Sequence, residues 1–136
     1  MKRFVCLIVS LLFCTLSWSQ IKVVYHLVEG IPQASRAIGN IRNHLAADPN
    51  VKIVVVAHGA GIDFLLDGAT NATGQSFAGS VSDLVAKGVD FRVCNNTLTV
   101  RKLSPDKVLM EAKIVPAGVA EVASLQAQEG LVYLRP

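Results

Sequence analysis

Three side chains that can move protons or attack an electrophile lie at or near the ends of apolar, β-branched runs. His26 lies near the end of the first run, His58 directly follows the second, and Cys94 directly follows the third. Functional sites in open α/β sheets form where strands end and helices begin. Neighbouring strands are about 4.8 Å apart, so these side chains share a cleft if the three strands are adjacent. The sequence therefore predicts a site at one edge of a sheet.

Cys94 is the strongest candidate for a reactive group. The residues after it, Asn95, Asn96 and Thr97, favour turns and caps and predict the start of a short helix. A thiol at a helix N-terminus has its thiolate stabilised by the helix dipole and by free N–H groups. The alternative is that Cys94 is a small buried hydrophobic residue, which is common for cysteine.

His58 is a candidate proton donor or acceptor for this thiol, and the segment Gly59-Ala60-Gly61 after it offers backbone N–H groups to a bound anion at the next helix start. A histidine held by backbone bonds at a tight turn is an equal alternative. His26 is a weaker candidate for substrate binding, because a satisfied histidine at a strand end explains it well. His44 is expected on a solvated helix face. Histidines this dispersed do not predict a metal site, and no cofactor is expected.

Several enzyme signatures are missing from the sequence. The Gly59-Ala60-Gly61 segment lacks the third glycine of a dinucleotide fingerprint and follows the second strand rather than the first. No serine lies in a nucleophile-elbow motif, and no paired cysteines indicate thioredoxin-like exchange.

The chain begins with the pattern of a secretory signal peptide. Lys2 and Arg3 precede an apolar run that ends in a small-x-small site at Ser17 to Ser19. The apolar run is shorter than the roughly 20 residues that span a bilayer. We expect cleavage after Ser19, leaving a single domain over residues 20–136 in the periplasm or the medium, with no membrane span.

Cleavage changes the cysteine count and the charge. Cys6 and Cys14 leave with the signal peptide, so Cys94 becomes the only cysteine and no internal disulfide can form. The mature chain has eleven basic and ten acidic residues, a net charge of +1. This charge gives no electrostatic footprint for nucleic acid.

Strands and helices alternate along the mature chain. Apolar runs predict strands over residues 21–27, 51–57, 89–93, 114–115 and 131–134, and helical patterns lie between them, including one after Ser104 and one over residues 118–129. Runs without alternation are typical of strands covered on both faces. The pattern predicts a three-layer α/β/α domain on a mostly parallel sheet.

Three segments resemble the DsrE/DsrF-like family: residues 54–59 (VVVAHG), 88–98 (GVDFRVCNNTL) and 115–121 (VPAGVAE). The resemblance implies a five-stranded sheet in the order 4-3-2-1-5, which would bring His58 close to Cys94. It also implies a homo-oligomer, often a trimer or hexamer. Family members in sulfur-relay systems carry a persulfide on the cysteine that Cys94 matches, and they work with dedicated sulfur donor or acceptor proteins.

The chain departs from those relay members in two ways. They are cytoplasmic, whereas this chain is expected to be exported, and polar residues follow Cys94 where small apolar ones are frequent. Two hypotheses follow. The first is a thiol-based sulfur carrier or sulfurtransferase-like protein that uses Cys94, with His58 and Asn96 stabilising its thiolate. The second is a non-catalytic oligomeric protein that binds a small ligand and keeps Cys94 buried and inert.

Overall fold

The computed structural model describes residues 19–136. Five strands form one sheet: β1 Lys22–Leu27, β2 Lys52–Ala57, β3 Asp90–Cys94, β4 Ala112–Val115 and β5 Val132–Leu134. Their order is β4-β3-β2-β1-β5, and every neighbouring pair is parallel. The prediction of an α/β fold on this sheet order is confirmed. The predicted signal peptide lies outside the described residues except for Ser19.

The helices cover both faces of the sheet, as the three-layer prediction requires. They are α1 Ile31–Ala47, α2 Phe77–Ala86, α3 Asn95–Val100 and α4 Gly118–Glu129, with 3₁₀ helices at Gly59–Leu65 and Pro105–Lys107. A large apolar cluster joins the sheet to α1, α2 and the longer 3₁₀ helix, and a smaller one joins it to α4. In the centre of β2, Val54, Val55 and Val56 are fully buried, which explains a run without alternation.

The helix predicted after Ser104 is wrong in its extent. Only one 3₁₀ turn forms there, over Pro105–Lys107. Val108 then pairs with Leu66 in an isolated antiparallel bridge, and the Leu109 N–H donates to the carbonyl of Leu65 at 2.9 Å. Tertiary pairing therefore takes the backbone groups that a longer helix would have used.

His44 also differs from expectation. Its Nδ1 lies 3.0 Å from the hydroxyl of Tyr25 on β1, and the side chain is half-buried rather than fully solvated. The hydrogen bond to Tyr25 holds the His44 side chain against the sheet.

Within residues 19–136, no helix combines the length and the apolar character needed to cross a bilayer.

Candidate functional site

Cys94 is the last residue of β3 and borders a pocket at the carboxyl edge of the sheet. The pocket has a volume of about 320 Å³. Its lining comes from the ends of β2 and β3, from α3 and from the start of α4: His58, Gly59, Cys94, Asn96, Thr97, Val100, Arg101, Ala117, Gly118 and Val119. Cys94 is only 5 % exposed overall. The thiol is therefore surrounded by protein but is reached from one side, through the pocket.

Local structure fixes the position of this thiol. Cys94 is the N-cap residue of α3, so its side chain lies where the strand turns into the helix. The N–H of Asn96 donates to the carbonyl of Pro116 at 3.3 Å, which ties the first turn of α3 to the segment after β4. The pocket is thus built between two connections that leave neighbouring strands.

Hydrogen bonds shift the protonation equilibrium of Cys94. Burial raises the pKa of the thiol, but hydrogen bonds from the Thr97 hydroxyl and from the backbone N–H groups of Gly118, Thr97 and Asn96 outweigh burial. The net effect is that the pKa of Cys94 is lowered from the ordinary value of a thiol. These donors favour the thiolate, the form in which cysteine is a nucleophile.

The Thr97 hydroxyl has its own partner, which orients it. It accepts a hydrogen bond from the N–H of Gly59 at 2.9 Å. With one lone pair occupied in this way, its hydrogen can be donated to the sulfur of Cys94. A hydroxyl with both donor and acceptor roles fixed is a better thiolate donor than one free to rotate.

Gly118, the first residue of α4, lies between the two candidate reactive residues. A Cβ at this position would lie 3.0 Å from the Cβ of His58 and 3.2 Å from the Cβ of Cys94. Only glycine lets the start of α4 approach both side chains so closely. Arg92 of β3 holds this end of α4 in place through an ion pair with Glu121.

His58 is joined to His26, and His26 is joined to Tyr133. The Nε2 atoms of the two histidines are 2.7 Å apart, and His26 Nδ1 lies 2.8 Å from the Tyr133 hydroxyl. Burial lowers the pKa of His58 below 6.5. Burial, followed by the charges of His58 and Arg135, also lowers the pKa of His26. Both imidazoles are therefore neutral near pH 7.

The structure brings five of the predicted site residues to the pocket: His58, Gly59, Cys94, Asn96 and Thr97. Asn95 and His26 are not among the lining residues. Asn95 is exposed, and His26 lies behind His58, to which it is bonded.

Two of the expected roles differ in detail. The Gly59 N–H is donated to Thr97, so it is not free to bind an anion. The causes of the lowered Cys94 pKa do not include His58, so the thiolate is stabilised by Thr97 and backbone N–H groups instead.

Sequence reasoning missed Gly118, Arg101 and Tyr133. Arg101 borders the pocket and donates from Nη1 to the carbonyl of Gly59 and to Asp63, the latter at 2.6 Å. The sequence signal for Gly118 was available, because a glycine that opens a helix after a strand is a common close-approach position. Tyr133 is recognisable only once the register of β5 against β1 is known, because the sheet order alone does not bring it to His26.

No group of histidine, cysteine, aspartate and glutamate side chains within residues 19–136 has an arrangement that could hold a metal ion.

Comparisons with known proteins agree with this architecture. The family model described as the DsrE/DsrF-like family matches residues 22–133. The solved structure of a protein of unknown function, MTH1491 from Methanobacterium thermoautotrophicum, is 32 % identical, with a TM-score of 0.77 over 86 % of this chain and 100 % of its own. The ychN protein from E. coli has a similar fold at 14 % identity, with a TM-score of 0.68 over 87 % of this chain and 99 % of its own. No curated protein matches the chain.

Proposed function

The chain belongs to the DsrE/DsrF-like family, and from that premise we propose that it is a thiol-based sulfur carrier whose Cys94 accepts a sulfur atom as a persulfide and passes it on. The observation that carries the proposal is the Cys94 thiol bordering the pocket, with hydrogen bonds that lower its pKa. A buried cysteine without such donors would have a raised pKa and would be inert.

The proposed reaction needs no cofactor. The Cys94 thiolate attacks the outer sulfur of a persulfide donor. A bond forms between the Cys94 sulfur and that outer sulfur, and the bond between the outer and inner sulfurs of the donor breaks. The electron pair of the broken bond leaves with the donor as a thiolate. The proton that Cys94 loses on ionisation balances the proton that this leaving thiolate gains, so nothing is oxidised or reduced overall.

The pocket suits a small donor or a narrow reactive end of a larger one. A volume of about 320 Å³ is at the low end for ligand pockets. Its rim carries two apolar side chains on the outer surface, Val100 at 80 % exposure and Val119 at 62 %. These features support delivery of sulfur by a partner protein whose persulfide enters the pocket, with apolar contacts around the entrance.

His58 is proposed to exchange the proton in this reaction. It lines the pocket beside Cys94 and is neutral near pH 7, so it can donate to or accept from a sulfur in the pocket without first changing its charge.

We also propose that the carrier acts outside the cytoplasm, after cleavage of residues 1–19, and as a homo-oligomer. Exposed apolar side chains support association between copies. Met110 lies just before the edge strand β4, Ile114 lies within it, and both side chains are exposed. Apolar surface on a small domain is commonly covered by association between copies.

Sulfur uptake tests the proposal directly. Purified native protein is exposed to a small alkyl persulfide near pH 7, and its intact mass and peptide map are recorded. We expect the mass to increase by one sulfur atom on the peptide that contains Cys94, and the same thiol to react rapidly with iodoacetamide in the native state. Labelling only after denaturation, with no added sulfur, would instead support a binding protein with an inert cysteine.

A further inference from the structure

Four neighbouring strands contribute one polar or reactive side chain each to a continuous row at the carboxyl edge of the sheet. Cys94 ends β3, His58 follows β2, His26 lies in β1 and Tyr133 lies in β5. The last three are linked by hydrogen bonds of 2.7 and 2.8 Å. The row begins in the pocket, which His58 and Cys94 both line, and ends at Tyr133, which is 39 % exposed. The hydrogen-bonded part of the row therefore joins the pocket wall at His58 to the solvent-exposed Tyr133.

We propose that Tyr133, His26 and His58 form a proton relay. The relay protonates the thiolate that leaves the persulfide donor when Cys94 takes up the outer sulfur. The proposal rests on the sulfur-carrier function and adds two residues to it. Neither His26 nor Tyr133 lines the pocket, so neither touches the reacting sulfur, and both act through His58.

The relay solves a specific problem of a neutral histidine. A neutral imidazole that gives away its proton becomes an unstable anion unless it gains another proton at its second nitrogen. His58 is bonded to His26 through Nε2, whereas its Nδ1 has no hydrogen-bond partner among residues 19–136. None of the buried side-chain nitrogens or oxygens described is left without a partner. The Nδ1 atom is therefore not fully buried, and we assign to it the proton that His58 gives to the pocket.

The transfer proceeds between two arrangements of the same hydrogen bonds. Before it, Tyr133 donates to His26 Nδ1, His26 donates from Nε2 to His58, and His58 holds its proton on Nδ1. His58 then gives the Nδ1 proton to the leaving thiolate while each member of the row passes one proton forward. Tyr133 regains its proton from water. Afterwards His58 donates to His26, and His26 donates to Tyr133, so no charge remains on either half-buried imidazole.

Burial keeps the two imidazoles neutral, and no surrounding charge reverses its effect. Arg135 opposes protonation of His26, and it is itself paired with Glu29 at 2.7 Å. Arg101, the cation at the pocket, is paired with Asp63. No carboxylate within residues 19–136 forms an ion pair with His26 or His58. A nearby carboxylate would have stabilised an imidazolium and trapped the proton.

Two variants break the relay while keeping most of the packing. Tyr133→Phe removes only the hydroxyl, and His26→Gln can still hydrogen-bond to His58 but does not readily gain a proton at one atom and release one at another. Tyr25→Phe is the matched control. It removes a similar tyrosine–histidine hydrogen bond, of 3.0 Å to His44, and Tyr25 lies in β1 like His26 but does not line the pocket.

The test compares sulfur uptake with alkylation in the full mature protein. For an alkyl persulfide, whose thiolate is basic and gains a proton near pH 7, we expect Tyr133→Phe and His26→Gln to slow uptake about 10-fold or more. For an aryl persulfide, whose thiolate leaves unprotonated, and for iodoacetamide, we expect rates near wild type. Tyr25→Phe should match wild type with all three reagents.

The outcomes separate this proposal from the function on which it rests. If the wild-type protein takes up sulfur and both relay variants do so at the same rate, the relay is overturned and the carrier function stands. Equal slowing of uptake and alkylation also overturns it, because that result indicates a structural disturbance of the site. A wild-type protein that takes up no sulfur overturns the carrier function, and the relay with it.

Discussion

Replacing Cys94 with serine is expected to abolish sulfur uptake completely while leaving the protein folded. A serine hydroxyl is not ionised near neutral pH and cannot form a persulfide, and Cys94 is the only cysteine among residues 19–136. The donors that bond to the thiolate can bond to a hydroxyl instead. We therefore expect the free energy of unfolding to change by about 1 kcal/mol or less. Intact mass after persulfide exposure and denaturant unfolding measure the two effects.

The inert-cysteine hypothesis predicts the reverse pattern for this position. A cysteine that only fills space would cost measurable stability when it is made polar, and no chemical function would be lost. Cys94→Ala completes the comparison, because it removes the sulfur without adding a hydroxyl. Sulfur uptake that persists in either variant, or unfolding of both, would contradict the assignment of Cys94 as the acceptor.

Replacing Gly61 with alanine is expected to destabilise the fold by about 3 kcal/mol, the largest stability effect that we predict. A Cβ at this position would lie 2.2 Å from the carbonyl oxygen of Leu27, and 2.7 Å from the nitrogen of Val28. These backbone atoms are held in place, because the Leu27 carbonyl accepts a hydrogen bond from the His58 N–H at 3.1 Å and the Val28 N–H donates to Gln33 at 2.9 Å. Equilibrium unfolding in urea measures the change.

Gly39→Ala is the matched control for this prediction. Gly39 lies inside α1, and nothing comes within 4 Å of a Cβ built there. Alanine in an exposed helix interior should therefore raise the free energy of unfolding by about 0.5–1 kcal/mol. Similar effects of the two substitutions would show that the close approach of the 3₁₀ helix to β1 does not determine the stability at Gly61.

The strands that position the site were predictable because strands buried on both faces consist mainly of apolar residues. A strand covered on both faces, such as β2, is almost entirely apolar, so the composition of residues 51–57 predicts a strand. The assignment of His58, just after that run, and of Cys94, at the end of β3, to a site then follows from the rule that sites lie at the carboxyl edge. Which strands are neighbours came from the family resemblance, since local patterns do not determine sheet order.

The parts of the site that were missed depend on long-range pairing. Tyr133 meets His26 only because β5 adds to the sheet beside β1, and the two residues are 107 positions apart. The groups that lower the Cys94 pKa include the N–H of Gly118, whose approach depends on how α4 packs over the sheet. Periodicity and composition carry no information on such contacts.

The pH dependence of Cys94 ionisation tests the central claim most directly. The rate of iodoacetamide labelling, or thiolate absorbance, is recorded against pH for the wild-type protein, with Thr97→Val and Thr97→Ser as comparison variants. We predict a wild-type pKa below the unperturbed thiol value of about 8.5, a higher pKa in Thr97→Val because the hydroxyl donor is lost, and a value near wild type in Thr97→Ser. A wild-type pKa at or above about 8.5, unaffected by Thr97→Val, would contradict the account of Cys94 as an activated sulfur acceptor.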